Sequence, residues 1–475
     1  MERKRLLFIT NAELGQANVH LAVLEQLISD KVDVDLHLCS FSPLAQSATS
    51  SEAFSSGKVS FHTLRGPTWK DALFNRPEHQ WHEVCSLTPR WFNSSRAAPM
   101  MTRIVAPWSN EELADLVLQV NKVVNHVAAH LVVVDNLFTP AVTVCYDRGV
   151  NWVVLSPNTY REFILGHQPP HEQHIQPPTA SLIPYPVPFY LRLSTWYHRQ
   201  QYMKLAQDGW VITHAIHMQE KIHKQYSDWG RLTYDPPKGL KIILPSNSHV
   251  DFPFTVVPDH LVSCGPIVRS AKPVAEVDPD LAAWLRQRPT VYINLGTHVL
   301  HDDDQSMELA EAFKSLLQAA KEAGDGLQVL WVNRRKQNNK EAKWLDTNGA
   351  QGGIRVVDWL QVEPISILQE ETVICSVNHG GANSYFEAVS AGVPQVVLPV
   401  WFDTYDFARR VEYLGIGRIG NRGTAPKCSR GELGRVLKQV VLGQEAGQMR
   451  ARAAAIAEAC EPIQQLNVTQ VVRQV

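Results

Sequence analysis

The segment from Thr372 to Gly392 constrains the fold of this chain more than any other. It begins with an apolar stretch typical of a buried strand, continues through the turn Asn378-His379-Gly380-Gly381-Ala382-Asn383-Ser384, and ends in a helical pattern. A strand, a tight turn and a helix in this order form one unit of a parallel α/β sheet. Such a turn exposes backbone N–H groups at the helix N-terminus, where they bind anions. The segment therefore predicts an α/β fold with a phosphate or diphosphate site.

Strand and helix patterns alternate along both halves of the chain. Helical patterns cover 18–29 and 110–130, and Ser109-Asn110-Glu111-Glu112 is a capping box that opens the second of them. Continuous apolar runs such as 131–134 are typical of strands that are buried on both faces of a parallel sheet. The strand patterns cover 6–10, 32–39, 131–134, 291–295, 327–332, 354–357, 372–377 and 396–399. This alternation predicts an α/β protein of two doubly wound lobes.

The length of the chain also indicates two lobes. A chain of 475 residues is too long for one ordinary hydrophobic core. The break between the lobes falls in a proline-rich segment that lacks helical periodicity. We assign 1–255 to the first lobe, 256–275 to a linker, 276–450 to the second lobe and 451–475 to a C-terminal helical tail.

The charge balance and the cysteines limit the partners and the location. The formal net charge is −2, with 45 Lys and Arg against 47 Asp and Glu, so we expect no nucleic acid as a partner. The seven cysteines include no Cys-x-x-Cys pair, a usage typical of a reducing compartment. No apolar stretch reaches the roughly 18 residues that a membrane-spanning helix needs. We therefore expect a cytoplasmic protein without a transmembrane segment, and leave peripheral membrane contact open.

Residues 359–406 resemble the nucleotide-sugar motif of the UDP-glycosyltransferases. The family pattern is a Trp, about twenty residues, His-x-Gly-x-Asn-Ser-x-x-Glu, Gly-Val-Pro, and a Pro before a terminal Asp-Gln pair. This chain supplies Trp359, His379, Gly381, Asn383, Ser384, Glu387, Gly392-Val393-Pro394, Pro399 and Asp403 in that order. The resemblance, which extends to fungal small-molecule members, implies two Rossmann-like lobes of the GT-B type that face each other across a cleft.

The resemblance also implies a UDP-dependent hexosyltransferase of the inverting class. It would move a sugar, by default glucose, from a UDP-sugar to a hydroxyl of a small lipophilic acceptor such as a secondary metabolite. The second lobe would bind the donor, the first lobe would bind the acceptor, and the tail would pack back on the first lobe. The UDP-sugar would be a co-substrate, and neither a cofactor nor a metal is expected.

The segment 157–197 interrupts the alternation of the first lobe. Eight prolines are interleaved there with aromatic residues. A long proline-rich insert inside a compact domain is usually functional or disordered. The insert fits an aromatic wall of the acceptor site, a surface that rests on a membrane, or an ordinary packed loop.

The family assigns a role to each donor residue. Trp359 would stack on the uracil ring, for which an indole offers a flat apolar face, and Glu387 would accept hydrogen bonds from the ribose hydroxyls. The Gly296-Thr297 turn would hold the diphosphate from one side, and Gln361 is counted among the donor-binding residues. The residues that would hold the diphosphate from the other side are His379, Gly381, Asn383 and Ser384. Their donors would stabilise the charge that grows on departing UDP.

The sugar end of the donor site departs from the plant pattern. Asp403 matches the acidic residue that hydrogen-bonds the sugar hydroxyls in the family. Thr404 stands where a Gln is usual, and its shorter side chain leaves the identity of the donor sugar open. Trp401 and Asp406 are candidates for the same pocket.

The catalytic base is the second departure. Transfer to a hydroxyl needs a base beside it, usually a His held by an Asp. In the family this His follows the first strand in a Gly-His-x-x-Pro turn, but here Gln16 stands at its position and cannot act as a base. Asp135 matches the orienting Asp. Three hypotheses remain open: His20, one helical turn beyond Gln16, is the base; Asp135 is the base, directly or through water; or catalysis has been lost.

Two other classes of protein compete with an active glycosyltransferase. A catalytically silent nucleotide-sugar-binding protein would bind UDP without turnover. A nicotinamide oxidoreductase needs a Gly-x-Gly-x-x-Gly fingerprint after a strand, but Gly415-Ile416-Gly417-Arg418-Ile419-Gly420 follows a helical pattern, and Gly415 fits a helix C-cap better. Asp302 is predicted to cap a helix. The histidines and cysteines show no zinc-type spacing, so no metal site is predicted.

Overall fold

The computed structural model describes residues 3–49, 57–299, 302–333 and 353–473, whose strands form two parallel sheets. The first sheet contains β1 (Lys4–Ile9), β2 (Val34–Phe41), β3 (Val59–Leu64), β4 (Leu131–Asp135), β5 (Trp152–Leu155), β6 (Ile242–Leu244) and β7 (Leu261–Ser263). The second contains β8 (Thr290–Asn294), β9 (Gln328–Val332), β10 (Ile354–Val357), β11 (Val373–Asn378), β12 (Gln395–Val397) and β13 (Gly417–Ile419). Their orders are β3-β2-β1-β4-β5-β6-β7 and β10-β9-β8-β11-β12-β13. Each order reverses direction at its first strand, so both sheets are doubly wound, as the sequence predicted.

Helices flank both sheets, and each sheet with its helices is one lobe. The helices of the first lobe are α1 (Leu14–Ser29), α2 (Ser42–Thr49), α3 (Trp69–Phe74), α4 (Trp81–Cys85), α5 (Ser94–Ala97), α6 (Met100–Val105), α7 (Asn110–Val127), α8 (Thr139–Arg148), α9 (Tyr160–Ile164), α10 (Pro170–Ile175), α11 (Arg192–Met203), α12 (Gly209–Ile222) and α13 (Trp229–Tyr234). After β7 follow α14 (Val274–Val277), α15 (Pro279–Leu285), α16 (Asp303–Glu322), α17 (Pro364–Leu368), α18 (Ala382–Ser390), α19 (Phe402–Tyr413), α20 (Arg430–Val441) and α21 (Ala446–Arg473). Short 3-10 helices lie at Pro77–His79, Trp91–Asn93, Leu165–His167, Phe189–Leu191 and Lys204–Gln207.

The central strands are apolar because helices cover both of their faces. Residues 6–9 of β1 are fully buried, and β4 is buried along its whole length. The register places Ile9 beside Val134 of β4 and beside Cys39 of β2. The carboxyl ends of β1 and β4 therefore meet, which brings the residues that follow β1 next to Asp135.

Buried ion pairs join the two lobes. Arg161 of α9 donates to Asp406 of α19 at 2.7 Å, and Arg410 of α19 donates to Asp251 of the first lobe at 2.6 Å. All four side chains are at most 2% exposed. Removal of one partner would leave a buried charge uncompensated, which is strongly destabilising. These pairs therefore fix the position of one lobe relative to the other.

The observed elements differ from the predicted domain limits at two places. β7 is the edge strand of the first sheet, yet it lies inside the segment 256–275 that the sequence assigned to a linker, so the first lobe extends past residue 255. It has three residues between prolines, too few to show an alternating pattern. α21 begins at Ala446, before residue 451, and the Sγ of its Cys460 accepts a hydrogen bond from Asn247 Nδ2 of the first lobe at 3.5 Å.

Several local predictions are confirmed. Ser109 caps α7 in a full capping box, and Asp302 caps α16 by accepting from the amide of Gln305 at 2.8 Å. Gly415 follows α19 with a φ of +66°, which ends that helix. The strand β13 begins two residues later and was not predicted. Within the described parts of the chain, no helix is both long enough and apolar enough to cross a membrane.

Candidate active site

The turn between β11 and α18 has the backbone geometry that the predicted anion site requires. Asn378 Oδ1 accepts a hydrogen bond from the amide of Gly380 at 2.8 Å and so closes the turn. Gly380 has a φ of +82°, and a Cβ there would lie 2.7 Å from the backbone oxygen of Thr404. Among the described residues, no side chain caps the N-terminus of α18, whose N-cap is Gly381. The first amides of α18 could therefore bind an anion, and they carry the positive end of the helix dipole.

His379 lies in a slot between two glycines. A Cβ on Gly296 would lie 2.7 Å from His379 Cε1, and a Cβ on Gly381 would lie 2.6 Å from His379 Nε2. Only glycine at both positions lets the ring occupy this place. Burial, with a smaller effect from the charge of His298, lowers the pKa of His379 to about 4. The ring is therefore neutral at pH 7 and offers one N–H donor.

The remaining predicted diphosphate residues surround this slot. Thr297 follows Gly296 directly after β8, and Ser384 lies in the first turn of α18. Asn383, also in that turn, donates from Nδ2 to the backbone oxygen of Leu14 in the first lobe at 2.9 Å. The start of α18 thus reaches across the cleft to the start of α1.

The residues predicted to hold the nucleoside lie at the same edge of the second sheet. Trp359, which is 53% exposed, and Gln361 occupy the loop after β10. Glu387 is half-buried on α18, and burial and then the charge of Glu363 raise the pKa of Glu387 to about 8, against the opposing charge of Arg269. Because the carboxyl ends of parallel strands share one edge, these groups line one side of the cleft.

The structure corrects two expectations about the sugar end. Thr404 is fully buried, and its hydroxyl donates to the backbone oxygen of Trp401 and accepts from the amides of Trp401 and Val400 at 3.0 and 3.1 Å. It therefore caps the start of α19 and does not reach into the donor site. Asp406 is paired with Arg161 between the lobes and does not share the pocket either. Asp403 remains half-buried in the first turn of α19, and burial, then Asp406, raise the pKa of Asp403 to about 7.

The hypothesis that His20 is the catalytic base is wrong. The side chain of His20 is fully buried, its Nε2 is 3.1 Å from the backbone oxygen of Leu155, and its ring packs edge-on against Phe8. Burial lowers the pKa of His20 to about 3 despite that hydrogen bond. A position one helical turn beyond Gln16 lies on the face of α1 that packs on the sheet, so its side chain points away from the cleft.

Asp135 lies at the end of β4, as expected, but its carboxylate is already occupied. Its Oδ2 accepts from Thr10 Oγ1 at 3.0 Å and from Asn11 Nδ2 at 3.1 Å, and its Oδ1 accepts from the amide of Leu137 at 2.9 Å. Burial raises the pKa of Asp135 to about 6 against these hydrogen bonds. Gln16 lies in the first turn of α1, where its Oε1 is buried without a partner among the described residues. The structure gives Asp135 the role of holding the residues after β1.

A polar contact that crosses the cleft escaped the sequence analysis. His298 Nε2 lies 3.0 Å from Glu13 Oε2, so a residue of the β8–α16 loop meets the N-cap residue of α1. No local pattern could reveal a contact between residues so far apart in the chain. A second oversight was detectable. Asn294 and Asn378 each accept from the amide of the glycine two positions on, at 3.0 and 2.8 Å, which is an Asx turn in the sequence Asn-x-Gly.

An aromatic wall along the cleft is formed by Phe74 and Trp81 of the first lobe and Trp401 of the second. Phe74 and Trp81 stack with ring centroids 4.8 Å apart, Trp81 lies 5.8 Å from Trp401, and Trp401 lies 6.0 Å from His379. A narrow pocket next to this wall is lined by residues of both lobes, among them Cys85, Arg90, His198, Tyr202, Trp401 and Tyr405. His198 and Tyr202 come from the part of α11 that follows the insert 157–197, whereas Ala180 comes from the insert itself. The insert therefore contributes to this pocket through Ala180.

Comparison with known proteins places this cleft in context. Residues 339–468 match a family described as Erythromycin biosynthesis protein CIII-like, C-terminal domain. The chain is 30% identical over 476 residues to glycosyltransferase sdnJ of Sordaria araneosa, a match that covers 94% of this chain and 89% of that protein. It is 33% identical over 176 residues to UDP-glycosyltransferase 84B1 of Arabidopsis thaliana, which covers 36% of each chain.

A solved structure agrees with the observed architecture. The chain is similar to a UDP-glucosyltransferase from Polygonum tinctorium, described as capable of glucosylating indoxyl, with a TM-score of 0.65. The alignment covers 100% of this chain and 99% of that one at 16% sequence identity. At this identity the likeness establishes the fold, which is that of two Rossmann-like lobes across a cleft.

Proposed function

Because this chain belongs to the UDP-glycosyltransferase family and is a UDP-dependent glycosyltransferase, we propose that it transfers glucose from UDP-glucose, with inversion, to a hydroxyl of a small lipophilic secondary metabolite. The observation that carries the proposal is the slot between Gly296 and Gly381, which presents the neutral ring of His379 beside the uncapped start of α18. This arrangement suits a diphosphate.

The donor site acts on the leaving group. The ring N–H of His379, the amides of α18, and the side chains of Thr297, Asn383 and Ser384 would donate hydrogen bonds to the diphosphate. Since they are fixed before the reaction, they would stabilise the charge that develops on UDP as the glycosidic bond breaks. We propose that these donors make a metal unnecessary, so turnover would be insensitive to EDTA.

The nucleoside and the sugar would be held at either end of the diphosphate. Trp359 would stack on uracil, Gln361 would lie beside it, and Glu387 would accept from the ribose hydroxyls. Asp403 would accept from the sugar hydroxyls. Thr404 is excluded from this set by its buried capping role.

The acceptor would enter from the first lobe. The wall formed by Phe74, Trp81 and Trp401 and the adjoining pocket under α11 offer apolar surface for a lipophilic molecule. An acceptor held there would face the sugar from the side opposite the diphosphate. Displacement from that side inverts the anomeric centre.

An exposed apolar surface at and before α11 supports peripheral contact with an anionic membrane. It comprises Phe189 and Tyr190 of the preceding 3-10 helix and Leu193, Trp196 and Met203 of α11, each at least 56% exposed. The chain has no Asp or Glu between residues 173 and 207, whereas Arg192 and Lys204 are exposed there. Exposed apolar groups flanked by cations bind anionic lipid surfaces. The seven free cysteines are consistent with a cytosolic location.

Vesicle flotation tests this contact. The protein should float with vesicles of phosphatidylcholine and phosphatidylserine, and Leu193→Ser with Met203→Ser should abolish flotation without lowering the thermal midpoint. If the wild-type protein stays in the soluble fraction with both this mixture and pure phosphatidylcholine, the membrane proposal is wrong.

UDP release from UDP-glucose with phenolic, terpenoid and lipid alcohols tests the function itself. Turnover should persist in EDTA, and Trp359→Ala should raise the KM for UDP-glucose by about tenfold, because base–aromatic stacking contributes about 1–3 kcal/mol. Tyr234→Ala removes a more exposed ring of the first lobe, at 75% against 53% for Trp359, and should leave that KM unchanged. If the protein binds UDP tightly and no acceptor releases it, the silent nucleotide-sugar-binding protein is the correct interpretation.

A further inference from the structure

The pair of Glu13 and His298 is built from both lobes. Glu13 Oε2 and His298 Nε2 are 3.0 Å apart, and the side chains are 15% and 23% exposed, respectively. Glu13 comes from the β1–α1 turn of the first lobe. His298 comes from the β8–α16 loop of the second lobe, two residues after the glycine that lines the His379 slot. The two groups therefore meet at the cleft, beside the diphosphate site.

Buried hydrogen bonds fix the position of Glu13. Asp135 Oδ2 accepts from Asn11 Nδ2 at 3.1 Å, and Asn11 Oδ1 accepts from the backbone amide of Glu13 at 2.7 Å. Asn11 is 1% exposed and Asp135 is fully buried, so this part of the turn is rigidly held. Asp135 thus acts on the turn that carries Glu13.

The carboxylate of Glu13 decides which nitrogen of His298 carries the proton. In a neutral ring, the Nε2–H donates to Glu13, and Nδ1 keeps its lone pair. This Nδ1 is buried and has no hydrogen-bond partner among the described residues. A carboxylate that fixes a histidine tautomer and leaves the other nitrogen able to take a proton is the arrangement of a general base and its orienting acid.

His298 also lies between the two substrates. Its ring packs edge-on against Phe74 at 5.4 Å, and Phe74 belongs to the aromatic wall of the acceptor side. Through Trp81 and Trp401 the same wall continues to His379 at the diphosphate site. His298 therefore lies between the aromatic wall and the predicted diphosphate site.

We propose that His298 is the catalytic base of this glycosyltransferase and that Glu13 is its positioning residue, an inference that rests on the proposed function. Nδ1 takes the proton of the acceptor hydroxyl while the acceptor oxygen forms a bond to the anomeric carbon. The bond from that carbon to the diphosphate oxygen breaks, and its electron pair leaves with UDP. The proton on His298 then passes to water. Gln16 cannot take a proton at neutral pH, and His20 is buried away from the cleft.

Acceptors of different acidity test the proposal. His298→Gln should lower kcat by about 10²–10⁴-fold on an aliphatic alcohol, the usual contribution of a positioned base. On a nitrophenol that is already ionised at the assay pH, the loss should be less than about tenfold, because no proton has to be removed. UDP affinity measured by calorimetry should stay unchanged. The control is His171→Gln, which removes an exposed histidine 3.9 Å from Glu172 and should match the wild type.

A second variant, Glu13→Gln, tests the positioning role of Glu13. Loss of the carboxylate should reduce kcat on the alcohol more than on the ionised phenol and should leave the KM for UDP-glucose unchanged. A purely structural role of Glu13 would lower both rates equally.

Two results would overturn the proposal. One is an equal loss on the alcohol and on the phenol in His298→Gln, provided that this variant unfolds at the wild-type temperature. The other is a loss selective for the alcohol in Asp135→Asn with none in His298→Gln, which would make Asp135 the base. A wild-type protein without turnover on any acceptor would instead refute the proposed function, so the two failures are distinguishable.

Discussion

Two turns face each other across the cleft, and in each an Asn side chain accepts a hydrogen bond from the backbone amide two positions on. The two turns serve different purposes. In the second lobe, the turn from Asn378 to Ser384 offers its backbone to a ligand, since its glycines leave space for the His379 ring and no described side chain caps its helix. In the first lobe, the turn from Asn11 to Gln16 is tied down by Asp135 and presents a side chain, Glu13, to a partner on the other lobe. The role of the second-lobe turn can be inferred from its own sequence. The role of the first-lobe turn can be inferred only from its contact with His298 of the second lobe.

Gly381→Ala should produce the largest difference between the two turns. The new Cβ would lie 2.6 Å from His379 Nε2, and Gly296 blocks the ring on the other side, so the ring must leave its slot. A displacement of about 1 Å at a reacting site lowers turnover by roughly 10²-fold. We expect that loss in kcat/KM for UDP-glucose, measured by UDP release. Gly431→Ala, where a Cβ meets nothing within 4 Å, is the matched control and should be neutral.

The sequence predictions are accurate for local features and fail for contacts between distant residues. The strands, the doubly wound order and the donor turn could be predicted, because apolar runs, an Asn-x-Gly turn and a helix start are local features. Thr404 was placed in the sugar pocket because its position in the motif suggested it, but its hydroxyl is used to cap α19. Side-chain direction and contacts between lobes depend on packing, which a single sequence does not specify.

Substitution of His20 tests whether this residue of α1 contributes to the stability of the fold or to catalysis. Its pKa is lowered to about 3 by burial, whereas an unfolded histidine titrates near 6.5. Below pH 6.5 the unfolded state therefore takes up a proton that the folded state refuses, and stability falls as the pH decreases toward 3. Between pH 7 and pH 5 this one group should remove about 2 kcal/mol from the free energy of unfolding.

His20→Gln isolates that contribution in urea unfolding at both pH values. The variant should lose about 2 kcal/mol less than the wild type over this interval, while the exposed His171→Gln should lose as much as the wild type. Turnover per folded molecule should be unaffected by His20→Gln. A loss of turnover confined to weakly acidic acceptors would mean that His20 acts as a base, which is incompatible with its buried side chain.

Gly15→Ala should have the smallest effect on turnover, and it tests the difference between the two turns most directly. Gly15 lies in the first turn of α1, and a Cβ there would meet nothing within 4 Å. Alanine in a helix at a compatible position should stabilise the protein by roughly 0.5–1 kcal/mol, because the unfolded chain loses freedom. Turnover should stay within about twofold of the wild type, since this turn acts through Glu13 and not through a bare backbone. A fall of roughly 10²-fold, as expected for Gly381→Ala, would mean that substrate approaches this backbone as closely as the diphosphate approaches the other. The two turns would then work by the same principle, and the base would have to be sought among groups that the acceptor touches at α1.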